Sequence, residues 1–451
     1  MLRTLRTTCS ALKESTTASR LDGSWQRLLG GSGRVLLFKV TGAFGGFLFS
    51  LLVARRFGDA ALGRAELFVF AITVGGTLLR GGVEGAVVKL FSGWTSRGLH
   101  GRVFDRFRRW SWPILGMALL AVSWGWLYPM DFFVVRLDAA LGIAIGAWVL
   151  IGWAGEALRG VGRVGGYALL QPGWWMLLAG GMILLLGWDP IPALSATAVV
   201  LALLGMAAAL VFFGKAVNVQ DVPVEDAATE RTADIQKLRA LAGPIWLGSM
   251  LHLVLSWADT ALIAAWLSEA DVAHYRAAFR LAALLTFTQF AVNALGAPTF
   301  GALHDSGDRE GLRRAVHRIG WMNTAVALPG ALFLGLLGPW LLGFWGPEFA
   351  DDAVFKALLV LAAGQCFNAL CGPVMYLLNM TGGERAGLAI LAVSAVVQLG
   401  TALIFVPSMG ILGAAISAAV GMFCWNGLGV WYIWRHHGFL MVSLLGRWWR
   451  S

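Results

Sequence analysis

Charge is scarce in this sequence: Asp, Glu, Lys and Arg make up only 13% of 451 residues, while 58% are apolar. Soluble domains carry about twice that share of charge, so a water-exposed globular fold is excluded. Cysteine is nearly absent too. Cys9, Cys366, Cys371 and Cys424 have no paired spacing, and the seven His residues form no HExxH, which argues against a thiolate or zincin metal site. There is no Walker A sequence, so any transport must draw on a gradient or an external partner rather than on ATP bound here. Gly160, Gly162 and Gly165 fit GxGxxG in GVGRVGG, but that fingerprint needs a preceding strand in a βαβ unit. Here it joins two apolar runs and reads as a turn. No cofactor is expected. An enzyme of glycan assembly, a polymerase or ligase, would need a sizeable outward loop for its chemistry. The outward loops are about ten residues at most, short by ordinary loop statistics, and the chain is not expected to be an enzyme.

What the chain does contain is greasy runs. A mean hydropathy of +0.71 belongs to a polytopic membrane protein, and a hydrocarbon core about 30 Å thick needs about 20 apolar residues per helix. Twelve such spans are predicted: 35–54, 66–91, 112–130, 139–158, 167–188 and 194–214, then 243–267, 276–300, 321–345, 356–378, 387–406 and 411–434. The expected fold class is all-α, with twelve transmembrane helices in two pseudo-symmetric six-helix halves. The expected organisation is a basic tail at 1–34, a first half at 35–214, a solvated linker at 215–242, a second half at 243–434 and a basic tail at 435–451. A mitochondrial transit peptide would have a composition like that of the first 33 residues.

A repeat supports the duplication. Asp59 to Ala65 reads DAALGRA and Asp271 to Ala277, an offset of 212, reads DVAHYRA, with four of seven positions identical. Each copy follows one apolar run and opens the next, and each is followed at similar spacing by a basic segment. Two stacked copies of a membrane unit point to a transporter.

The 35 Lys and Arg residues divide unequally among the loops these spans define. With the N-terminus inside, inward segments hold 26 and outward loops six: Arg55, Arg56, Arg64, Arg136, Arg276 and Lys356. The positive-inside rule then places both termini in the cytoplasm. The formal charge of +10 reads as topology and contact with anionic lipid, not as a nucleic-acid footprint. Trp110, Trp112, Trp126, Trp188, Trp345 and Trp434 fall near predicted helix ends, as interfacial anchors do.

Ionisable residues within the hydrocarbon zone each cost roughly 2.5 to 3.5 kcal/mol on insertion scales and should face a cavity or a partner. Lys39 sits about 6 Å inside the cytoplasmic end of helix 1 by helical rise, where it either snorkels or meets an anionic headgroup. Arg80 lies about 16 Å deep, one turn from Glu84 on the same face; a buried pair and a substrate site are both open. Asp259 of helix 7 and Arg280 of helix 8 reach comparable outward depths, so they form an ion pair or bind a coupling ion and an anionic substrate. Glu156 and Arg159, three apart, form a gate or an interfacial pair. Gln289, Asn293, Gln365, Asn368, Asn379 and Gln398 add hydrogen-bonding capacity for sugars or for helix packing. Gly243 and Pro244, Pro298, Pro329, Gly372 and Pro373 interrupt helices. Gly42/Gly46, Gly81/Gly85 and Gly142/Gly146 have small-xxx-small spacing for close helix contact.

Ala258 to Leu281, ADTALIAAWLSEADVAHYRAAFRL, resembles the seventh-helix signature of the polysaccharide and O-antigen flippases of the multidrug, oligosaccharidyl-lipid and polysaccharide exporter superfamily. Ala54 to Phe68, ARRFGDAALGRAELF, is similar to that family's end of helix 1. The resemblance implies a MATE-like, V-shaped, alternating-access bundle in a bacterial inner membrane. Its partner would be a polyprenyl-pyrophosphate-linked oligosaccharide, for lipopolysaccharide O-antigen or exopolysaccharide, with surrounding membrane lipid and polysaccharide polymerase or assembly proteins. In that setting Lys39, Arg80, Arg280, Asn293 and Asn368 would bind substrate. Glu84, Asp259, Glu156 and Arg159 would couple an ion, H+ or Na+, or gate. A drug or organic-cation antiporter of the superfamily is the competing reading and would favour an acid-dominated lumen.

Overall fold

The computed structural model describes residues 40–132, 135–215 and 227–441. The tail at 1–34, Lys39, much of the 215–242 segment and residues 442–451 lie outside the described residues.

The apolar runs become helices. In the first half these are α1 (Val40–Phe57), α2 (Asp59–Arg80), α3 (Val83–Thr95), α4 (His100–Leu127), α5 (Ala139–Gly160), α6 (Val164–Leu169), α7 (Pro172–Leu186) and α8 (Pro190–Lys215). The second half has α9 (Ala227–Trp266), α10 (Glu269–Ala283), α11 (Phe287–Asp305), α12 (Arg309–Leu342), α13 (Asp352–Cys371), α14 (Val374–Met380) and α15 (Glu384–His437). One short antiparallel hairpin, β1 (Met130–Phe132) with β2 (Val135–Leu137), links α4 to α5 and pairs Asp131 with Arg136.

Nine of these helices are individually long and apolar enough to cross a bilayer. Joined across their breaks, and with one long helix folded in two, the described elements group into twelve segments of membrane-spanning length. Gly81 and Gly82, with φ of 58° and 75°, interrupt the second crossing between α2 and α3; a left-handed backbone of this kind is open chiefly to glycine. Gly372, at φ 76°, and Pro373 break the tenth between α13 and α14. Gly410, at φ 60°, folds α15 into two arms, 384–409 and 411–437. Gly81 thus serves a backbone break rather than the packing contact its spacing implied. Gly142 and Gly146 do pack: a Cβ on either would approach the Ala121 or Ala118 carbonyl of α4 to 2.6 or 2.7 Å. Pro244 and Pro329 lie inside continuous helices.

Two sequence expectations need correction. Trp110 and Trp345 are buried at 8% and 0% exposure, stacked on Phe91 and set edge-on to Phe47 respectively, so they are core side chains; Trp112, Trp126, Trp188 and Trp434 remain on the surface. Residues 227–242 are also not a free linker, since they continue α9. Asp234, fully buried, accepts from Arg102 at 2.7 Å and from Arg106 at 2.9 Å, and Arg102 lies over Trp94. A short-range polarity pattern looks solvated, yet here two cations on α4 neutralise the carboxylate and dock the segment on the first half.

Helix directions define two ends of the bundle. The N-termini of α2 and α10, which carry the two repeat copies, lie at one, here the motif end. Lys215 and the N-terminus of α9 mark the other, the linker end.

Candidate functional site

At the motif end the repeat copies pack against each other. The α2 and α10 backbones approach so closely that a Cβ on Gly63 would fall 1.8 Å from the Glu269 carbonyl oxygen. Ser268 caps α10 by accepting from the Asp271 N–H, and Asp271 reciprocates in a capping box. Charges then cross between the halves. Arg64 pairs with Glu269 at 2.8 Å, and His274 lies 3.3 Å from Asp59. Glu66, only 1% exposed, receives Arg276 at 3.4 Å and Arg280 at 2.5 Å. Arg276 also lies over the Trp257 ring at 4.1 Å. It is not in an outward loop, where the Lys and Arg count put it; at 8% exposure it is buried between the halves. The seal extends to α1, where Ser50 Oγ accepts from Trp345 Nε1 at 3.0 Å.

The expected Asp259–Arg280 pair does not form. Asp259, 1% exposed, accepts from the Tyr275 hydroxyl and from the Thr260 N–H, while Arg280 is taken by Glu66. Helical rise gave both residues the right depth but not their azimuth. Glu66 escaped notice because it sits at a predicted helix end. The signal for it was Arg276 and Arg280, one turn apart on α10 and in need of a buried anion.

From mid-bundle to the linker end the halves part around a cavity of about 940 Å³. Of the expected binding residues, Arg80, Asn293 and Asn368 line it, and so does Glu84; Gln289, Gln365, Asn379 and Gln398 join them. Arg280, Asp259, Glu156 and Arg159 are not in its lining. Residues that sequence reasoning passed over, His252, Glu384 and Asn426, also contribute. Arg80 and Glu84 form an ion pair at 3.2 Å across the Gly81–Gly82 break. Arg80 Nη1 donates to the Trp148 carbonyl at 3.0 Å. Gly152 of α5 makes room for it, because a Cβ there would meet the guanidinium at 2.6 Å. Nearby on α5, Glu156 pairs with Arg159 at 3.0 Å.

The amides are partly satisfied among themselves. Asn323 donates to Asn293 at 3.1 Å, Asn368 to Gln289 at 3.5 Å, and Gln398 to the Leu255 carbonyl at 3.1 Å. Gln289 Nε2 and Trp425 Nε1 are buried donors with no protein acceptor. Such groups are costly unless something else accepts from them, and both residues line the cavity. The lining is therefore rich in paired donors and acceptors and poor in charge: Arg80 against Glu84 and Glu384. No group of three or more His, Cys, Asp or Glu side chains able to hold a metal is present among the described residues.

The architecture is an all-α, polytopic membrane bundle with the fold of the MATE transporters. Residues 244–404 match the MatE family. A solved inward-facing structure of a multidrug resistance MATE family transporter of the MOP superfamily superposes with a TM-score of 0.65 at 15% identity, covering 88% of this chain and 94% of that one. The lipid II flippase MurJ in an inward closed conformation gives a TM-score of 0.63 at 12% identity, covering 88% and 87%. In sequence, the chain is 24% identical over 182 residues to the probable flippase AglR of Haloferax volcanii, which is 39% of this chain and 37% of that relative. The chain thus matches little more than a third of the length of that curated relative.

Proposed function

We propose that this chain is a flippase that carries a polyprenyl-pyrophosphate-linked oligosaccharide across a bacterial inner membrane by gradient-coupled alternating access. One observation carries the reading: an amide-lined cavity containing a deep Arg80 opens toward the linker end while the motif end is closed by the paired repeats. Two similar proteins are named as flippases. With the linker end and both termini in the cytoplasm, as the Lys and Arg bias requires, this is the inward-open state.

In this mechanism Arg80 leaves Glu84 to meet the pyrophosphate. The free donors of Gln289 and Trp425, with Asn293 and Asn368, take the sugar hydroxyls, while the prenyl tail stays in lipid. Lys39, outside the described residues, would attract the headgroup at the cytoplasmic face. Arg280 serves the seal in this state and reaches substrate only once Glu66 releases it. Proton or Na+ binding at Glu84 or Asp259 biases the switch, which requires different affinity in the two states. Glu156 and Arg159 gate the linker side of Arg80. Polymerase or assembly proteins receive the delivered unit.

The competing reading, a multidrug or organic-cation antiporter, has one observation in its favour. The cavity holds two carboxylates, Glu84 and Glu384, against one guanidinium. Reconstituted vesicles separate the two. We expect flipping of a lipid-linked oligosaccharide, accelerated by an ion gradient and lost in a well-folded Arg80→Ala protein. Normal flipping by that variant refutes the role of Arg80, and gradient-driven uptake of organic cations without glycan flipping establishes the antiporter instead.

A further inference from the structure

A second cavity lies away from the central one, on the lipid-facing side where α1 and α7 meet the C-terminal end of α12. It has a volume of about 600 Å³ and apolar walls, including Leu48, Leu52, Met176, Leu177, Leu184 and Phe344. It runs about 10 Å along α1 by helical rise. One polar side chain, Arg55, stands in its lining. Arg56 follows at the same helix end, and both are exposed. Trp188, in the turn after α7, and Trp340, in the last turn of α12, are 40% and 61% exposed and mark the depth at which a headgroup layer meets the protein.

Among the described residues neither arginine has an acidic partner. Arg55 donates from Nε to the Phe344 carbonyl at 2.7 Å and from Nη2 to the Gly343 carbonyl at 3.0 Å; Arg56 donates to the Ile183 carbonyl at 3.3 Å. A guanidinium has five donors, so these bonds to neutral oxygens orient both groups and leave their positive charge uncompensated. We propose that this groove binds an anionic phospholipid of the motif-end leaflet, one acyl chain lying along the apolar walls and the phosphate held by Arg55 and Arg56. The complementarity is of both kinds: an apolar trough of chain dimensions, and two unneutralised cations where the phosphate would sit. The trough takes walls from both halves, since Phe344 belongs to the second and the rest to the first. Parting the halves at the motif end would pull these walls away from each other, so the lipid would favour the closed motif end over the open one.

Native mass spectrometry of the detergent-purified full chain tests the site, with phosphatidylglycerol and phosphatidylcholine of identical acyl chains as probes. Two cations at a headgroup predict a preference for phosphatidylglycerol on the order of tenfold or more. Arg56→Gln and the double variant Arg55→Gln/Arg56→Gln should lose that preference. Gly181→Phe should lose lipid retention with both arginines intact, because Gly181 lines the groove and a Cβ there meets nothing within 4 Å. Equal retention of the two lipids overturns the proposal, as does unchanged retention in Gly181→Phe. A co-purified polyprenyl phosphate, or a second copy of the chain, occupying the groove in place of phospholipid overturns it as well.

Discussion

The two ends of this bundle use ionic groups in opposite ways. At the motif end, charges are spent across the gap between halves: Glu66 holds Arg276 and Arg280, and Arg64 reaches Glu269. At the linker end they are spent outside the cavity lining, as in Arg102 and Arg106 on Asp234 docking the start of α9 to α4, or within one broken crossing, as in Arg80 on Glu84. Pairs laid across the motif end hold that interface shut, whereas pairs outside the cavity or along one wall leave the cavity unbridged. Separate sets of charges thus close one side and furnish the other.

Removing the central anion of the seal should break this contrast most strongly. Glu66→Ala strands two buried guanidinium groups, a change worth about 3 to 5 kcal/mol when a buried pair loses one partner. The expected outcome is a large drop in thermal stability in detergent, or an opened motif end read as maleimide labelling of Leu62→Cys, a position with no exposure in the sealed form. If neither changes, the seal is not electrostatic. Steric wedging asks the same question without touching charge. Gly63→Leu, with its Cβ forced onto the Glu269 carbonyl, should separate α2 from α10 and raise labelling at the same position.

At the cavity, Gly152→Ala should push the Arg80 guanidinium off the Trp148 carbonyl and cut flipping at least tenfold with little loss of stability; unaltered flipping would show that Arg80 needs no fixed position. Gln289→Leu and Asn368→Leu should each lower transport about fivefold, the worth of a neutral hydrogen bond near 1 kcal/mol, and the effect should appear for glycan cargo but not for organic cations. The smallest effect belongs to Arg64→Ala. Arg64 and Glu269 are half exposed, and such pairs contribute about 0 to 1 kcal/mol, so activity within twofold of wild type is expected, with any loss fading at high salt.

Much of this was legible in the chain. The membrane-length segments follow from apolar run length, because that depends on local sequence and on the thickness of the bilayer. Six amides picked out by residue type, Gln289, Asn293, Gln365, Asn368, Asn379 and Gln398, all reach the central cavity, since an amide in hydrocarbon must find polar company. Pairing was less legible. Arg80 and Glu84 were readable as partners because they are one turn apart, but the partners of Asp259 and Arg280 were not. Asp259 turns to Tyr275 on the adjacent helix, and Arg280 turns to Glu66, more than two hundred residues earlier in the chain.

By itself, then, the sequence determined that this protein lives in a membrane, how many times it crosses and which residues had to avoid lipid, because hydrophobic transfer acts residue by residue along the chain. Only the tertiary structure decided which end is shut, which ions lock it and which amides share a cavity. Those outcomes turn on the azimuth of each helix and on how closely glycines such as Gly63 and Gly152 let their neighbours approach, and no one-dimensional spacing encodes either.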